Sequence, residues 1–375
     1  MKAKKVKEES LETFENNEEI TEELVEELVE ETTEEEYDES QVEKVGVGID
    51  FGTVNLLVYV EGQGIIFNEP SVVAYDRASG QVIAAGFDAD NMTGKTHDKI
   101  KIVRPLRDGV ISDIRAAKDL LKHVFGRVNL HASNSEIRGV LCCPSEVTQI
   151  ERKALLQLPI QLGIEEVYIE EEIKSGTVGS GLDIFTDRGT MVVDIGGGST
   201  DVGILNLGDV VLSKTLRMAG NFIDHEIIKY CKQHLKIEVG AKTAERIKIE
   251  LGTLNEKKDV ATMRVAGRDL LTGLPRHAEI TSRNVTEVLL PIFNDIKNLM
   301  VAALKDTPPE LCSDIYYDGI LLNGGVSLVD YASEYFSEKL GLKVKVSSNP
   351  LTSVVLGTKV LLKTRGHFVK DADTE

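Results

Sequence analysis

Two aspartates stand at matching places in this chain. Asp50 closes the apolar run of "VGVGIDFGT", and Asp194, 144 positions later, closes that of "MVVDIGGGST". Gly52 and Thr53 follow the first; Gly196, Gly197, Gly198, Ser199 and Thr200 follow the second. An apolar strand ending in aspartate presents a carboxylate at the carboxyl edge of a sheet, where α/β proteins bind their ligands. Glycines let backbone N–H groups approach a ligand closely, and Ser or Thr hydroxyls add donors. That chemistry suits phosphate oxygens. Two such hairpins facing each other would clamp a polyphosphate. Asp50 and Asp194 would then flank a Mg²⁺ ion, which takes carboxylate, water and phosphate oxygens. Either hairpin alone is weak evidence; the pair in matched context is the signal.

The elements that must position these hairpins recur in the same order. Residues 45–85 read as strands: "KVGVGIDFG", "NLLVYVEG", "GIIFNEPSVVAYD" and "QVIAAG". Helical patterns follow at "IRAAKDLLKHVFGRV" and "TQIERKALLQLPIQLG", with the strand "EIRGVLCCP" between them and another at Val167, Tyr168 and Ile169. The second half repeats the order. "TMVVDIGG", "TDVGILNLG" and "VVLSKTLRMAG" are strands, "NFIDHEIIKYCKQHL", "TAERIKIELG" and "TEVLLPIFNDIKNLMVAALK" are helices, and "GILLNGG" is a last strand. Strands followed by helices, twice over, indicate an α/β protein made of two similar halves.

Composition fits this reading. A chain of 375 residues is long for one core and suggests two domains. No apolar run reaches the roughly 18 residues of a membrane span. "MKAKKVKEES" leads into acidic sequence rather than an apolar core, so no signal-peptide pattern is present and a cytoplasmic location is expected. Cys142, Cys143, Cys231 and Cys312 lack zinc-ligand spacing and read as buried thiols. Cys142 and Cys143 are adjacent in a strand, so their side chains point to opposite faces. Residues 1–44 hold 18 acidic and 5 basic side chains, a net −13 against −19 for the whole chain. So many like charges at i,i+4 oppose an isolated helix, and this tail reads as solvated and mostly disordered, with an unknown partner. No basic patch of the kind that binds nucleic acid appears.

Several stretches together make the sequence recognisable. "GIDFGTVN", "NEPSVVAYD", "VRPLRDGVISD", "VVDIGGGSTDV", "TAERIKIELG", "GRDLLTGLP", "TPPEL" and "NPLTSVVLGT" resemble the actin superfamily of ATPases, and within it the bacterial MreB family, over most of residues 45–365. The resemblance implies an actin-like fold of two ribonuclease-H-like halves around a cleft that takes ATP or ADP with Mg²⁺. It puts 45–189 plus 350–368 in the first half (subdomains IA and IB) and 190–349 in the second (IIA and IIB). Residues 1–44 and 369–375 become tails. Thr53, Val54 and Asn55 match the first phosphate loop, beside Gly52, and Gly196 to Thr200 match the second. Glu245, Arg246, Ile247 and Lys248 match a helix segment that contacts adenosine in the family. "NGGVS" matches the glycine turn under the adenosine through Gly324, Gly325, Val326 and Ser327. The family prefers three glycines there, so Val326 leaves open a shifted turn or a differently packed base.

The catalytic region departs further. The family has Glu-Glu-Pro entering a helix beside the γ-phosphate, and the second Glu orients the attacking water. This chain reads "IEEEIKSGTVGSGL", which puts Glu172 at the second Glu, Ile173 at the proline and Lys174 at an apolar position. Phosphoryl transfer to water needs no covalent nucleophile, only positioning and charge stabilisation. The resemblance further implies polymerisation into protofilaments, assembly regulated by hydrolysis, a role in cell shape, and contact with the inner membrane face. Val128 and Leu130 in "GRVNLHAS" match the family's short apolar loop, while an acidic tail is repelled by anionic lipid. Two alternatives remain open: a filament subunit that binds nucleotide with slow or no hydrolysis, and, less favoured, a small-molecule kinase.

Overall fold

A computed structural model describes residues 44–107, 109–128, 136–145 and 147–368. The expectations for the tails 1–43 and 369–375, and for Leu130, lie outside the described residues, as does the side chain of Val128.

Apolar runs separated by glycine turns build the first sheet. Strands β1 (Lys44–Phe51), β2 (Asn55–Val60) and β3 (Gly64–Pro70) form an antiparallel meander. The chain then makes a small three-stranded sheet from β4 (Val73–Asp76), β5 (Val82–Ala85) and β6 (Ile100–Val103), with helix α1 (Gly86–Met92) inserted after β5. A short hairpin, β7 (Leu106–Arg107) and β8 (Val110–Ile111), leads to helix α2 (Ile114–Val128), which has the bounds its apolar periodicity predicts. Strand β9 (Glu136–Cys143), helix α3 (Gln149–Ile160) and strand β10 (Glu166–Glu171) complete the sheet, in the order β10-β9-β1-β2-β3. Helix α4 (Glu172–Gly179) follows without a break.

The second sheet repeats the first. Strands β11 (Thr190–Ile195), β12 (Thr200–Asn206) and β13 (Asp209–Leu216) form its meander. Helix α5 (Gly220–Tyr230) continues into a π turn over Cys231–Leu235. Strand β14 (Ile237–Glu238), helix α6 (Ala241–Leu251), the ribbon β15 (Thr262–Asp269) and β16 (Pro275–Thr281), helix α7 (Ser282–Asp306) and helix α8 (Pro309–Asp318) intervene. Strand β17 (Ile320–Asn323), helix α9 (Ala332–Leu340) and strand β18 (Val344–Val346) give the order β13-β12-β11-β17-β18. In both sheets the strand bearing the aspartate lies in the middle, antiparallel to its successor and parallel to a later strand. The central strands are apolar nearly throughout because both faces are covered; the edge strand β13 alternates exposed and half-buried residues.

Helix α10 (Ser353–Phe368) returns the chain to the first sheet, where it packs on β1, β2 and β9 and crosses α4. One core fills each half, around Ile49, Leu120 and Leu141 in the first and around Val193, Phe293 and Phe336 in the second. A smaller cluster seats Ile173 and Val178 of α4 against Val192, Leu205 and Leu321 of the second sheet. Ile173, where the family has proline, is thus a core residue at the junction.

Four expectations change. "GILLNGG" is not the last strand, because Val344–Val346 pairs in parallel with it as β18. "GIIFNEPSVVAYD" is two strands in different sheets, parted at Ser71–Val72: the Ser71 N–H donates to Val54 O (2.7 Å) and its hydroxyl to Gly52 O (2.7 Å). Helix α7 starts a turn before "TEVLL", because Thr281 and Asn284 form a capping box. Cys312 is only half-buried, whereas Cys142, Cys143 and Cys231 are buried; Cys142 and Cys143 do face opposite clusters. All four are free thiols.

Candidate functional site

A cleft of about 440 Å³ opens where the carboxyl ends of β1 and β11 converge. It is lined by Asp50, Gly52, Thr53, Val54 and Asn55 from the first half, and by Asp194, Gly196, Gly197, Gly198 and Ser199 from the second. The two turns meet. A Cβ added to Gly197 would lie 2.1 Å from Val54 Cγ2, and one added to Gly198 would lie 2.6 Å from Thr53 Oγ1. Glycine is needed at both positions so that one hairpin can close on the other. The second hairpin is braced from outside by the start of α5: Gly220 N–H donates to Gly196 O (3.1 Å) and Asn221 N–H to Gly197 O (2.8 Å).

Four carboxylates sit under the hairpins: Asp50, Asp194, Glu172 and Asp201 all line the cleft. Burial first, and the charge of Asp194 second, raise the Asp50 carboxyl to about 7. Burial and Asp201 raise Asp194 to about 7, against the opposing effect of a hydrogen bond from Asn323 Nδ2 to Asp194 Oδ2 (3.0 Å). Ser353 Oγ in turn donates to Asn323 Oδ1 (2.6 Å), so α10 helps to orient Asp194. Burial, then Asp50, Asp201 and Asp194, push Glu172 well above the usual carboxylate range. Its Oε1 is enclosed and has no hydrogen-bond partner. Asp201 accepts from Ser199 Oγ (2.8 Å) and from Thr215 Oγ1 (2.5 Å). The sequence reading passed over Asp201; the signal was the carboxylate one residue past the "GGGST" turn.

Further along the cleft the lining becomes apolar. Val326, Leu328, Val329, Pro350, Leu351 and Ile249 face it, with Glu245 and Lys248 at one side. Ile249, Leu328 and Leu351 are exposed aliphatics, a cost for a surface unless a flat apolar ligand covers them. Gly324 has φ +79°, and a Cβ there would strike Asp194 Oδ1 and Ile195 O at 2.4 Å, so glycine is required at this turn. Gly325–Leu328 is a single 3₁₀ turn, and Val326 is buried at the cleft wall, so the missing third glycine leaves the turn in place.

Four expected positions lie off the cleft. The Thr200 side chain is buried and its hydroxyl donates to Met218 O (2.6 Å). Ser327 is buried and donates to Gly324 O (2.6 Å). On α6, Ile247 points into the core, and Arg246 lies on the outer face with its Nε 4.0 Å from Glu250 Oε1. A helix puts 245, 248, 249 and 252 on one face, so four consecutive residues cannot all reach one ligand. Lys248 is held in place by Asp224, with Nζ 2.9 Å from Oδ1, and donates to Gly220 O (3.2 Å). Lys174 does not face the cleft: its Nζ lies 3.1 Å from Glu170 Oε2.

With this geometry in hand, comparison with known proteins is specific. The profile of the MreB/Mbl protein family matches residues 44–370. The cell shape-determining protein Mbl of Bacillus subtilis is 40% identical over 316 residues, which is 84% of this chain and 95% of Mbl. The crystal structure of MreB5 of Spiroplasma citri bound to ADP superposes with a TM-score of 0.84 at 41% identity, over 88% of this chain and 99% of that one. The same protein bound to AMPPNP gives 0.82 at 41% identity, over 86% and 97%. The MamK double helical filament gives 0.72 at 25% identity, over 85% and 99%. Two repeated sheets around one cleft therefore make an actin-like fold. The chain belongs to the MreB/Mbl family.

Proposed function

We propose that this chain binds ATP and ADP with Mg²⁺ in the cleft, assembles with copies of itself into filaments, and hydrolyses ATP to ADP to regulate that assembly. Its setting would be the cytoplasmic cytoskeleton that governs cell shape. The observation that carries the reading is the meeting of the two glycine hairpins, Val54 on Gly197 and Thr53 on Gly198, over the carboxylates at the ends of β1 and β11. The nucleotides in the MreB5 structures, the filament of MamK and the cell-shape role of Mbl support the same assignment.

In this reading the N–H groups of Gly52–Asn55 and Gly196–Ser199 hold the phosphates. Val326, Leu328, Leu351 and Ile249 cover the base, and Glu245 and Lys248 flank the sugar. Among the described residues no three His, Cys, Asp or Glu side chains are grouped to hold a metal ion directly. The donor set fits Mg²⁺ held through water by Asp50 and Asp194, since Mg²⁺ keeps several waters and prefers few carboxylates. The repulsion that lifts both carboxyls toward neutrality calls for positive charge at that place. Bound there, Mg²⁺ would neutralise phosphate charge. Glu172 orients the attacking water through its unpartnered Oε1, in a reaction that rests on positioning and charge stabilisation. Because Lys174 pairs with Glu170, the departure from the family pattern takes no carboxylate out of the cleft, which favours hydrolysis over a subunit that only binds. Membrane contact through Val128 and Leu130 belongs to the same reading, and liposome co-sedimentation of Leu130→Asp tests it.

Equilibrium binding of a fluorescent ATP analogue, with and without Mg²⁺, tests the site. The parent should bind with Mg²⁺-dependent affinity and Asp194→Ala should lose that dependence. Equal affinity in both proteins would remove the two-hairpin site.

A further inference from the structure

We propose that Lys174 and Ser145 are positioning residues, which hold the first two glutamates of "EEE" so that the third, Glu172, is the one that enters the cleft. This role rests on Glu172 being the water-orienting carboxylate.

The run Glu170-Glu171-Glu172 straddles the junction of β10 and α4. Three consecutive carboxylates offer three candidates for one place beside the phosphates. Glu171 is the N-cap residue of α4 and makes no side-chain cap hydrogen bond, so helix capping does not fix the turn. Two outside groups engage the side chains of the first two glutamates. Lys174 Nζ lies 3.1 Å from Glu170 Oε2, with side chains only 16% and 9% exposed. Ser145, in the loop after β9, donates from Oγ to Glu171 Oε2 at 2.6 Å. The Glu172 Oε1 is left enclosed and unpartnered among Asp50, Asp194 and Asp201.

The pairing of Glu170 with Lys174 spans i to i+4 across the strand-to-helix turn and ties the end of β10 to the first turn of α4. Removing the lysine takes away the ammonium that neutralises a buried carboxylate, which is unfavourable, and the turn relaxes around the uncompensated charge. Glu172 is two residues away and moves with it. Misplacement of a reacting group by about 1 Å costs on the order of 10²-fold in rate. Lys174 therefore compensates Glu170 rather than acting on nucleotide.

The test follows phosphate release and nucleotide affinity together in the full-length protein. Lys174→Met should lower kcat by about 10²-fold with nucleotide Kd within about twofold of the parent. Adding Glu170→Gln to Lys174→Met should restore most of the rate, because a neutral amide needs no ammonium partner. Ser145→Ala should lower kcat in the same direction, also without changing Kd. A purely structural role would weaken nucleotide binding, lower the melting temperature and lower kcat together, with no rescue, and would overturn the proposal. Parental kcat in both Lys174→Met and Ser145→Ala would overturn it as well. If Lys174→Met does not fold, the rescued double variant and Ser145→Ala decide: rescue with a slow Ser145→Ala supports the role, and a parental Ser145→Ala contradicts it. Glu172→Gln separates the two ideas. A slow Glu172→Gln beside a parental Lys174→Met contradicts only the positioning role. A parental Glu172→Gln, or a parent that releases no phosphate, overturns the reading of Glu172 and the positioning role with it.

Discussion

Asp50 and Asp194 each titrate near 7 instead of 3.8, because burial and acidic neighbours disfavour their charged forms. A carboxyl whose folded value is raised contributes stability at low pH that is lost as pH rises through the folded value. The ligand-free protein in a chelator should therefore lose melting temperature between about pH 4 and pH 7, and little more above that. Asp194→Asn should flatten that slope, and Mg²⁺-nucleotide should do the same to the parent. A scan of melting temperature against pH decides it, and an equal slope in parent and variant would contradict the electrostatic account. In the proposed mechanism Glu172 acts on the transition state more than on bound ATP. Glu172→Gln should slow phosphate release by about 10²–10⁴-fold while sparing nucleotide affinity. Glu171→Gln is the control: its carboxylate is engaged by Ser145, the amide can still accept that hydrogen bond, and near-parental turnover is expected. The reverse pattern in a single-turnover assay would place the water on Glu171.

Helix α4 is held by backbone contact more than by side chains. A Cβ on Gly179 would sit 1.8 Å from Ser353 O, and one on Gly357 would sit 1.8 Å from Ser175 O, so α4 and α10 cross with their backbones touching. Neither clash can be relieved by a rotamer change. Gly179→Ala and Gly357→Ala should each cost about 3 kcal/mol, read from the denaturant midpoint, and slow phosphate release by displacing Glu172. A midpoint within error of the parent would show that the crossing is looser than drawn. This crossing was not legible in the sequence, where "SGTVGSG" reads as an unremarkable glycine-rich stretch and the partner helix lies about 180 residues downstream. What was legible was apolar alternation and glycine punctuation: α2 keeps its predicted bounds, and β1, β2, β11 and β12 lie where the runs end. The ribbon of β15 and β16 escaped because "TMRVAGRD" and "PRHAEIT" are mostly exposed and have no continuous apolar face. Within the site, the glycines and aspartates of the hairpins were legible because their chemistry is local. Ile249, Leu328 and Leu351 were not, since only the folded chain brings α6, the 3₁₀ turn and the loop before α10 to one wall.

At the scale of the molecule, the two halves are joined beside the cleft as well as beneath it. Lys242, one turn before Glu245 on α6, lies 2.6 Å from Asp90 Oδ2 on α1, and Arg104 supports Asp90 from 3.1 Å. Partly exposed ion pairs contribute about 0.2–1 kcal/mol, so Lys242→Glu should speed nucleotide release roughly two- to fivefold, less at high salt. Stopped-flow chase of a fluorescent nucleotide measures this, and an unchanged rate at low salt would remove the pair from the control of opening. The central claim concerns the whole molecule: nucleotide held between facing hairpins drives assembly of the chain with itself. The direct measurement is sedimentation of purified protein with ATP and Mg²⁺, with phosphate release followed in the same samples, for the parent and Asp194→Ala. The parent should pellet with nucleotide and release phosphate, while Asp194→Ala should stay in the supernatant and release none. Equal pelleting of the two proteins, with or without nucleotide, would contradict the account.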